Sequence, residues 1–474
     1  MAETWSDNLP EGWASTTLGV LGEYLNGRGF RRTEWSTSGR PIVRIQNLTG
    51  SGGTTNYFQG TAEDRHVVLP GDLLVSWAAT LGAYIWDGPE AVLNQHIFKV
   101  KSRIHPRYHY HLVRHVLAQL TAQAHGSGMV HVTKDVFDGM PVAVPPMPEQ
   151  ERIAGQIDRI ERSIATCTSD VARTVAILAR LRPAILAAAC AGRFTDTWRR
   201  ANPNVATVAD ALTRVPARTW RVNPREQPVE LELPSLPDTY VVTTVGNAAS
   251  RLEYGTSRKA STDPAAGIAV LRMGNIQHGQ LNMTDLKYLR RTPDVDELLL
   301  DEGDVLFNRT NSPEQVGKSA VYHDASIATF ASYLLRIRFR RDVAEPDFVN
   351  YWLNSAWGRA WAWLAKTDGV SQSNINASKL SLMPLPLPPI NEQREAVRRA
   401  SQLLDLTDQL EQQVRQAGAK LRSSTRSLLA KGCLGALVPT EAALSVRDRR
   451  TFEPAEHLVD RLRAVTEGRP GAPR

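Results

Sequence analysis

The stretch MPVAVPPMPEQERIAGQI at residues 140–157 returns as MPLPLPPINEQREAVRRA from Met383 onward. No other property of the chain restricts its fold as strongly, because an internal repeat demands two copies of one structural unit. Glu149 corresponds to Glu392, an offset of 392 − 149 = 243, and Ile153/Ala396 and Cys190/Cys433 keep it. A register held over roughly forty residues predicts two helices of equal length, each about 60 Å at 1.5 Å per residue. Upstream the register drifts. LPEGWASTTLG returns as LPDTYVVTTVG (Gly19/Gly246), IVRIQNL as VLRMGNI (Asn47/Asn275) and PGDLLVSW as EGDVLFNR (Gly71/Gly303), with offsets of 227, 228 and 232. Each half therefore reads as a globular domain that tolerates insertions, followed by a helix that does not.

Within the globular parts, RHVVLPGDLLVSW and ASYLLRIRFR read as strands, while PRYHYHLVRHVLAQL and PDFVNYWLNSAWGRAWAWLA read as helices. The expected class is α+β, with twisted, mostly antiparallel sheets. In the first long helix Ile153, Ile157, Ile160, Ile164, Cys167, Val171, Thr174, Leu178, Leu181 and Ile185 step by alternating fours and threes, the repeat of a coiled-coil seam. The 243 offset carries that seam to Ala396, Ala400, Leu403, Thr407, Leu410, Val414, Ala417, Leu421, Ser424 and Leu428, a smaller and partly polar set. Pro183 should kink the first helix. Pro148 suits its first position, and Asn391 offers an N-cap to the second. The expected organisation is a first domain over 1–148, a helix over 149–195, a Pro- and Arg-rich linker over 196–235, a second domain over 236–391, a helix over 392–434, and a basic tail over 435–474 with one short amphipathic helix.

A length of 474 residues supports two or three real cores. The net charge of +7 is a modest pull toward polyanions. Cys167, Cys190 and Cys433 lie far apart without C-x-x-C spacing, which argues against a disulfide framework or thiolate metal site and for a reducing cytoplasm. The N-terminus lacks the basic start and apolar run of a signal peptide.

Motifs for chemistry are missing. There is no Gly-rich cofactor loop and no Asn/Asp-Pro-Pro-aromatic tetrapeptide. Gly317-Lys318-Ser319 invites a P-loop reading, but that motif needs a glycine where Ser312 stands. His105, His109, His111 and His115 crowd one helix without the Glu of H-E-x-x-H, so a solvated or partly buried helix face is the expectation and no metal is assigned. Trp352, Trp357, Trp361 and Trp363 read as core.

What remains is a set of polar and basic residues at loop-like places. In the first half these are Arg28, Arg31, Arg32, Arg44, Gln46, Asn47, Trp77, Asn94, Gln95, His96, His131 and Lys134. In the second they are Tyr254, Thr256, Ser257, Arg258, Lys259, Arg272, Asn275, Asn308, Arg309, Asn311, Lys318, Ser371, Gln372, Asn374 and Asn376. Arg with Asn or Gln is the vocabulary of base-edge readout, and Lys with Ser that of phosphate contact. Arg44 and Arg272 sit at matched positions, which also fits a structural role.

The combination of LPEGW…TTLG, GDLL/GDVL, VPPMPEQERIA, PLPPINEQREAV and ILAAACAGRFTDTWR resembles the DNA-specificity subunits of Type I restriction–modification systems over nearly the whole chain. The resemblance implies two target-recognition domains, each reading half of a bipartite DNA site, with two long antiparallel helices as a ruler for the spacer. It implies a non-catalytic chain binding two modification subunits that carry S-adenosylmethionine and methylate adenine. Restriction subunits using ATP and magnesium would join them. The competing readings are the specificity component of a methyltransferase-only or Type II-like system, and a protein-only coiled-coil scaffold.

Overall fold

A computed structural model describes residues 9–467 apart from 53, 79, 124–132, 215–222, 224 and 325. It forms two compact units, one of residues 1–171 with 416–474 and the other of residues 172–415. The two long helices, Met147–Cys190 and Ile390–Cys433, each contribute to both.

The two globular parts share one strand plan. In the first unit a four-stranded antiparallel sheet runs Gly22–Asn26, Ile97–Ser102, Leu73–Ser76, Gly82–Ile85. In the second, the order is Ala249–Tyr254, Leu334–Phe339, Val305–Asn308, Ser319–Val321. Each unit adds a smaller sheet containing a parallel pair, Arg40–Val43 with Ala91–Leu93 and Ile268–Leu271 with Ala328–Phe330. All other strand pairings among the described residues are antiparallel, as expected. The GDLL and GDVL motifs make the tight turn into the central strand. Gly71 and Gly303 take φ of 93° and 84°, favoured by glycine. The next residue, Asp72 or Asp304, accepts the N–H of Leu69 or Asp301.

The proline-studded stretches are strands. Pro141–Val144 pairs antiparallel with Ala14–Thr17, and Pro384–Leu387 with Val241–Thr244, in the same register (Thr17 opposite Pro141, Thr244 opposite Pro384). Each forms a two-stranded ribbon, where proline's missing donor costs least. TTLG/TTVG and PVAVPP/PLPLPP recur together because they are pairing partners that close each domain's two ends.

The Glu-Gln dipeptide then fastens three segments at one point. Gln150 accepts the His105 N–H (3.0 Å) and donates to Pro145 O (2.8 Å). Gln393 accepts the Glu345 N–H and donates to Val343 O and Pro388 O. The bonds to His105 and Glu345 tie the turns that lead into the helices starting at Pro106 and Pro346. The glutamates reach the segment that follows the opposite long helix. Glu149 accepts Trp13 Nε1 (2.9 Å) and the Glu441 N–H (2.7 Å), while Glu392 accepts Thr195 Oγ1 (2.7 Å) and Arg199 Nη1 (2.8 Å). All four side chains are buried, so each polar group needs these partners. The N-caps lie earlier than expected, by one residue in the first helix and by two in the second. Pro146 O and Pro389 O accept the first amides, so Pro148 and Asn391 stand at the second helical position and Asn391 caps nothing.

Within the first unit Ile153 and Ile157 pack with Leu428, Leu429 and Cys433, and a Cβ on Gly418 would touch Val171 at 3.5 Å. Within the second, Ile185, Leu186 and Ala189 pack with Ala396, Ala400 and Leu404, and Arg182 pairs with Asp408. The helices therefore run antiparallel in each unit. In the first helix Ile153, Ile157, Leu178 and Ile185 are buried and Ile160, Ile164, Val171 and Thr174 half-buried, but Cys167 and Leu181 are exposed. In the second, Ala396, Ala400, Thr407 and Leu428 are buried, and Val414 and Leu421 half-buried. Leu403, Leu410, Ala417 and Ser424 are exposed, and their neighbours Leu404, Glu411, Gly418 and Thr425 face inward instead. One residue is about 100° of helix rotation. The transferred register assumed equal rotation, whereas Gly418 lets the second helix turn its smaller face toward Val171.

The chain after Val438 holds two helices, Glu441–Asp448 and Ala455–Thr466, rather than one. Ala455 and Val459 are buried in the first unit's core, so this segment is part of the domain. Its counterpart after the first long helix is Asp196–Ala201. Gly192 and Gly435, offset by 243, end the long helices at φ of 70° and 73°.

Of the two faces expected for the histidine helix, the structure shows the buried one: His109, His111 and His115 are buried and His105 is half-buried. His109 is buried between Tyr24 OH and Ser102 Oγ (2.7 Å each), and burial pushes its pKa down to about 3. His111 bonds Asp158 Oδ1 (2.8 Å), and burial, outweighing Asp158, pushes it down to about 4. His111, Asp158 and Glu161 converge as a metal site would, but Arg107 and Arg114 already hold the two carboxylates. Trp352 and Trp361 are core, with Trp357 stacked on Trp352, while Trp363 is exposed with Lys366 over its ring.

Candidate nucleic-acid interface

In each unit the smaller sheet joins the larger one through a three-residue crossing, 94–96 in the first and 331–333 in the second. The chain passes so close there that only glycine fits beside it. A Cβ on Gly27 would meet Asn94 O at 2.2 Å, and one on Gly255 would meet Ala331 O at 2.4 Å. Isolated parallel bridges, Arg28 to Asn94 and Thr256 to Ala331, fix the crossing. Trp77 N donates to His96 O (3.3 Å) and Arg309 N to Tyr333 O (3.1 Å). Asn94 N and Ala331 N donate to Val43 O and Leu271 O, the residues just before Arg44 and Arg272. Four loops thus converge at the same place in both units and carry different side chains.

In the first unit the junction opens into a cavity of about 490 Å³ lined by Gly29, Phe30, Arg31, Trp35, Arg44, Asn94, Gln95 and His96. Five of these residues, Arg31, Arg44, Asn94, Gln95 and His96, come from the sequence-derived set. The lining contains two arginines and no carboxylate, so its potential is positive. Arg44 lies over the Trp35 ring at 5.4 Å, and Gln95 Nε2 stands 3.3 Å from His96 Nε2. Trp77 stacks on Phe98 (5.8 Å) beside His96, half-buried, as the floor of the crossing. Arg28 is committed to the fold, paired with Glu34 at 2.6 Å and over Phe30 and Phe58. Asn47 is likewise structural, its Oδ1 accepting the Arg44 N–H (3.0 Å). Gln46 is half-buried and Arg32 exposed at the rim. Lys134 is exposed but pairs with Asp138, and His131 lies outside the described residues.

In the second unit Arg309 lies over the Tyr254 ring at 4.9 Å and donates to Ser332 O. Beside it Thr310–Asn311 pairs with Ser373–Asn374, Asn374 Nδ2 donating to Thr310 Oγ1 (2.7 Å). Ser371 and Gln372 are exposed on the same small sheet, and Lys318 is half-buried, its pKa lowered by desolvation and then by Arg359. Other members of the set are structural. Asn275 is buried and accepts the Arg272 N–H, repeating Asn47 in the other unit, and Arg272 pairs with Asp285. Asn376 caps Ala377–Ser381. Thr256 and Asn308 are buried. Arg258 is exposed but held by Asp294, while Ser257 and Lys259 are exposed on the approach. Sequence reasoning missed Trp35 and Tyr333, both exposed aromatics at the junctions, and Gly27 and Gly255, whose matched positions could have located it.

A model of the Type I restriction modification DNA specificity domain matches residues 10–170 and again 258–417. The chain belongs to that family. The specificity subunit of the EcoBI Type I restriction enzyme from Escherichia coli is 25% identical over 442 residues, covering 91% of this chain and 87% of that protein. The EcoKI specificity subunit from Escherichia coli strain K12 is 23% identical over 459 residues, covering 90% of each. The crystal structure of the HsdS subunit from Thermoanaerobacter tengcongensis superposes with a TM-score of 0.56 at 17% identity, covering 92% of this chain and all of that one. A chain from a structural study of Type I system assembly and conformational transition superposes at 0.59. The S-subunit fold, with two recognition domains of mixed helix and strand, is therefore that of this specificity-family chain. Among its described residues no helix is long and apolar enough to cross a membrane.

Proposed function

We propose that this member of the specificity family is the non-catalytic subunit that reads a bipartite DNA target and assembles methyltransferase and restriction subunits around it. The observation that carries the reading is the pair of matched junctions with unmatched side chains. One scaffold recurs in both units, while Arg31, Trp35, Gln95 and His96 stand in one and Tyr254, Arg309, Tyr333 and Asn374 in the other. Two readers of one design but different chemistry suit two different half-sites. Residues 1–148 and 236–391 are the readers, and the two long helices form an antiparallel coiled coil that sets the spacer length. S-adenosylmethionine, ATP and magnesium belong to the partner subunits, in the cytoplasm. Neutralising six or more phosphates would make affinity fall by roughly a thousandfold or more between 50 and 200 mM salt.

Single-molecule sequencing of methylated genomic DNA, from a host with and without this chain and its methyltransferase partner, tests the reading. A bipartite methylated motif that depends on the chain is the expected result. Absence of any chain-dependent motif, together with no salt-sensitive duplex binding by the complex, would leave a protein-only scaffold.

A further inference from the structure

We infer that the hairpin Thr367–Asn374 of the second unit enters the major groove of its half-site and that Val370 at its tip reads a thymine methyl group. The inference rests on the DNA-reading function proposed above and names a contact within it. Val370 is fully exposed, at 110% of the reference area. It stands in the turn closed by Gly369 N donating to Gln372 O (2.8 Å). Turn tips favour glycine, asparagine, aspartate and serine for backbone reasons. A β-branched apolar side chain there gains nothing in water and stabilises nothing in the fold.

The base of the hairpin is tied to the fold. Asp368 accepts Lys366 Nζ at 2.6 Å and Ser373 Oγ at 2.5 Å. The second strand is pinned to Thr310–Asn311, and Ile375 N donates to Arg309 O (2.8 Å). The hairpin base is thereby joined to Arg309, a cation with no carboxylate partner among the described residues. Next to Val370, Ser371 and Gln372 are exposed and their side chains make no hydrogen bond among the described residues. A two-stranded ribbon fits the major groove, where thymine alone presents a methyl group and adenine takes a bidentate Gln. Anchored ribbon, apolar tip and exposed glutamine together match that pair of contacts.

The test uses the full chain in complex with its methyltransferase partner, on duplexes carrying its own methylated motif. Uracil, which lacks the 5-methyl group, replaces each half-site thymine in turn. One such replacement should weaken wild-type binding roughly fourfold, the worth of one buried methyl. The same replacement should do nothing further to Val370→Ala, and Gln372→Ala should relax methylation at an adjacent base pair of that half-site only. Val370 is exposed, so thermal unfolding of the variant should match wild type. If the motif is methylated but every uracil acts equally on wild type and Val370→Ala, the hairpin contact is wrong and the DNA-reading function stands. If the complex neither binds nor methylates a bipartite site, that function fails and the inference with it.

Discussion

The seam of the second long helix offers a sharp choice between two neighbouring leucines. Carrying the first helix's pattern across by 243 residues puts Leu403 in the seam, whereas the structure exposes it to 40% and buries Leu404 to 7%. Leu404 packs with Ile185, Leu186, Ala396 and Ala400. Truncating a buried leucine to alanine costs about 2–5 kcal/mol, the upper end where a closed cavity remains. Leu404 and Leu186 also border a cavity of about 610 Å³. The new space merges with one already open, so we expect the lower end, about 2–3 kcal/mol. Leu403 has some 60% of its surface to lose, worth about 1 kcal/mol by area, and alanine returns a little helix propensity. For a unit of this size each kcal/mol moves the midpoint by roughly 2–4 °C. Leu404→Ala should therefore lower the Tm of the second unit by about 5–10 °C in scanning calorimetry, and Leu403→Ala by no more than about 4 °C. Equal shifts, or a larger one for Leu403→Ala, would refute the rotated seam and restore the strict repeat register.

Gly27→Ala and Gly255→Ala should each destabilise their unit by about 3 kcal/mol in urea unfolding, because the new methyl meets backbone rather than a movable side chain; near-neutral variants would mean that the crossing is looser than described. His109 has its pKa depressed to about 3 by burial, so its unfolded form takes up protons first. Its stabilisation is complete above about pH 6.5 and is lost as pH falls toward 3, amounting to about 2 kcal/mol by pH 5. His109→Gln should flatten that part of the stability–pH curve, and an unchanged slope would assign it to other groups. Deleting seven residues from the 149–190 helix should change the spacer of the methylated motif or abolish binding, and an unchanged spacer with unchanged affinity would remove the ruler role.

The repeat itself explains what could be read before the fold was known. Periodicity survives in single letters, so the two long helices and the matched glycines Gly71 and Gly303 are legible, whereas the ribbon made by the prolines and the turns at those glycines belong to the structure. Rotation about a helix axis does not survive, because Leu403 and Leu404 are both leucine and only the glycine fourteen residues after Leu404 decides between them. For the site, matched polar residues were the most visible and the least informative. Asn47 and Asn275 recur because each accepts the amide three residues back, and Arg44 and Arg272 recur because they end equivalent strands. Scaffold is what two halves must share. Reading two different sequences is what they must not share, so under the proposed function the readers would lie where the aligned halves disagree: Trp77 against Arg309, His96 against Tyr333. A search for polar residues passes over the exposed Trp35, Tyr333 and Val370, which would act by stacking and methyl contact. Position by position, disagreement between the halves at a junction fixed by Gly27 and Gly255 is the stronger signal for where two readers of one design would differ.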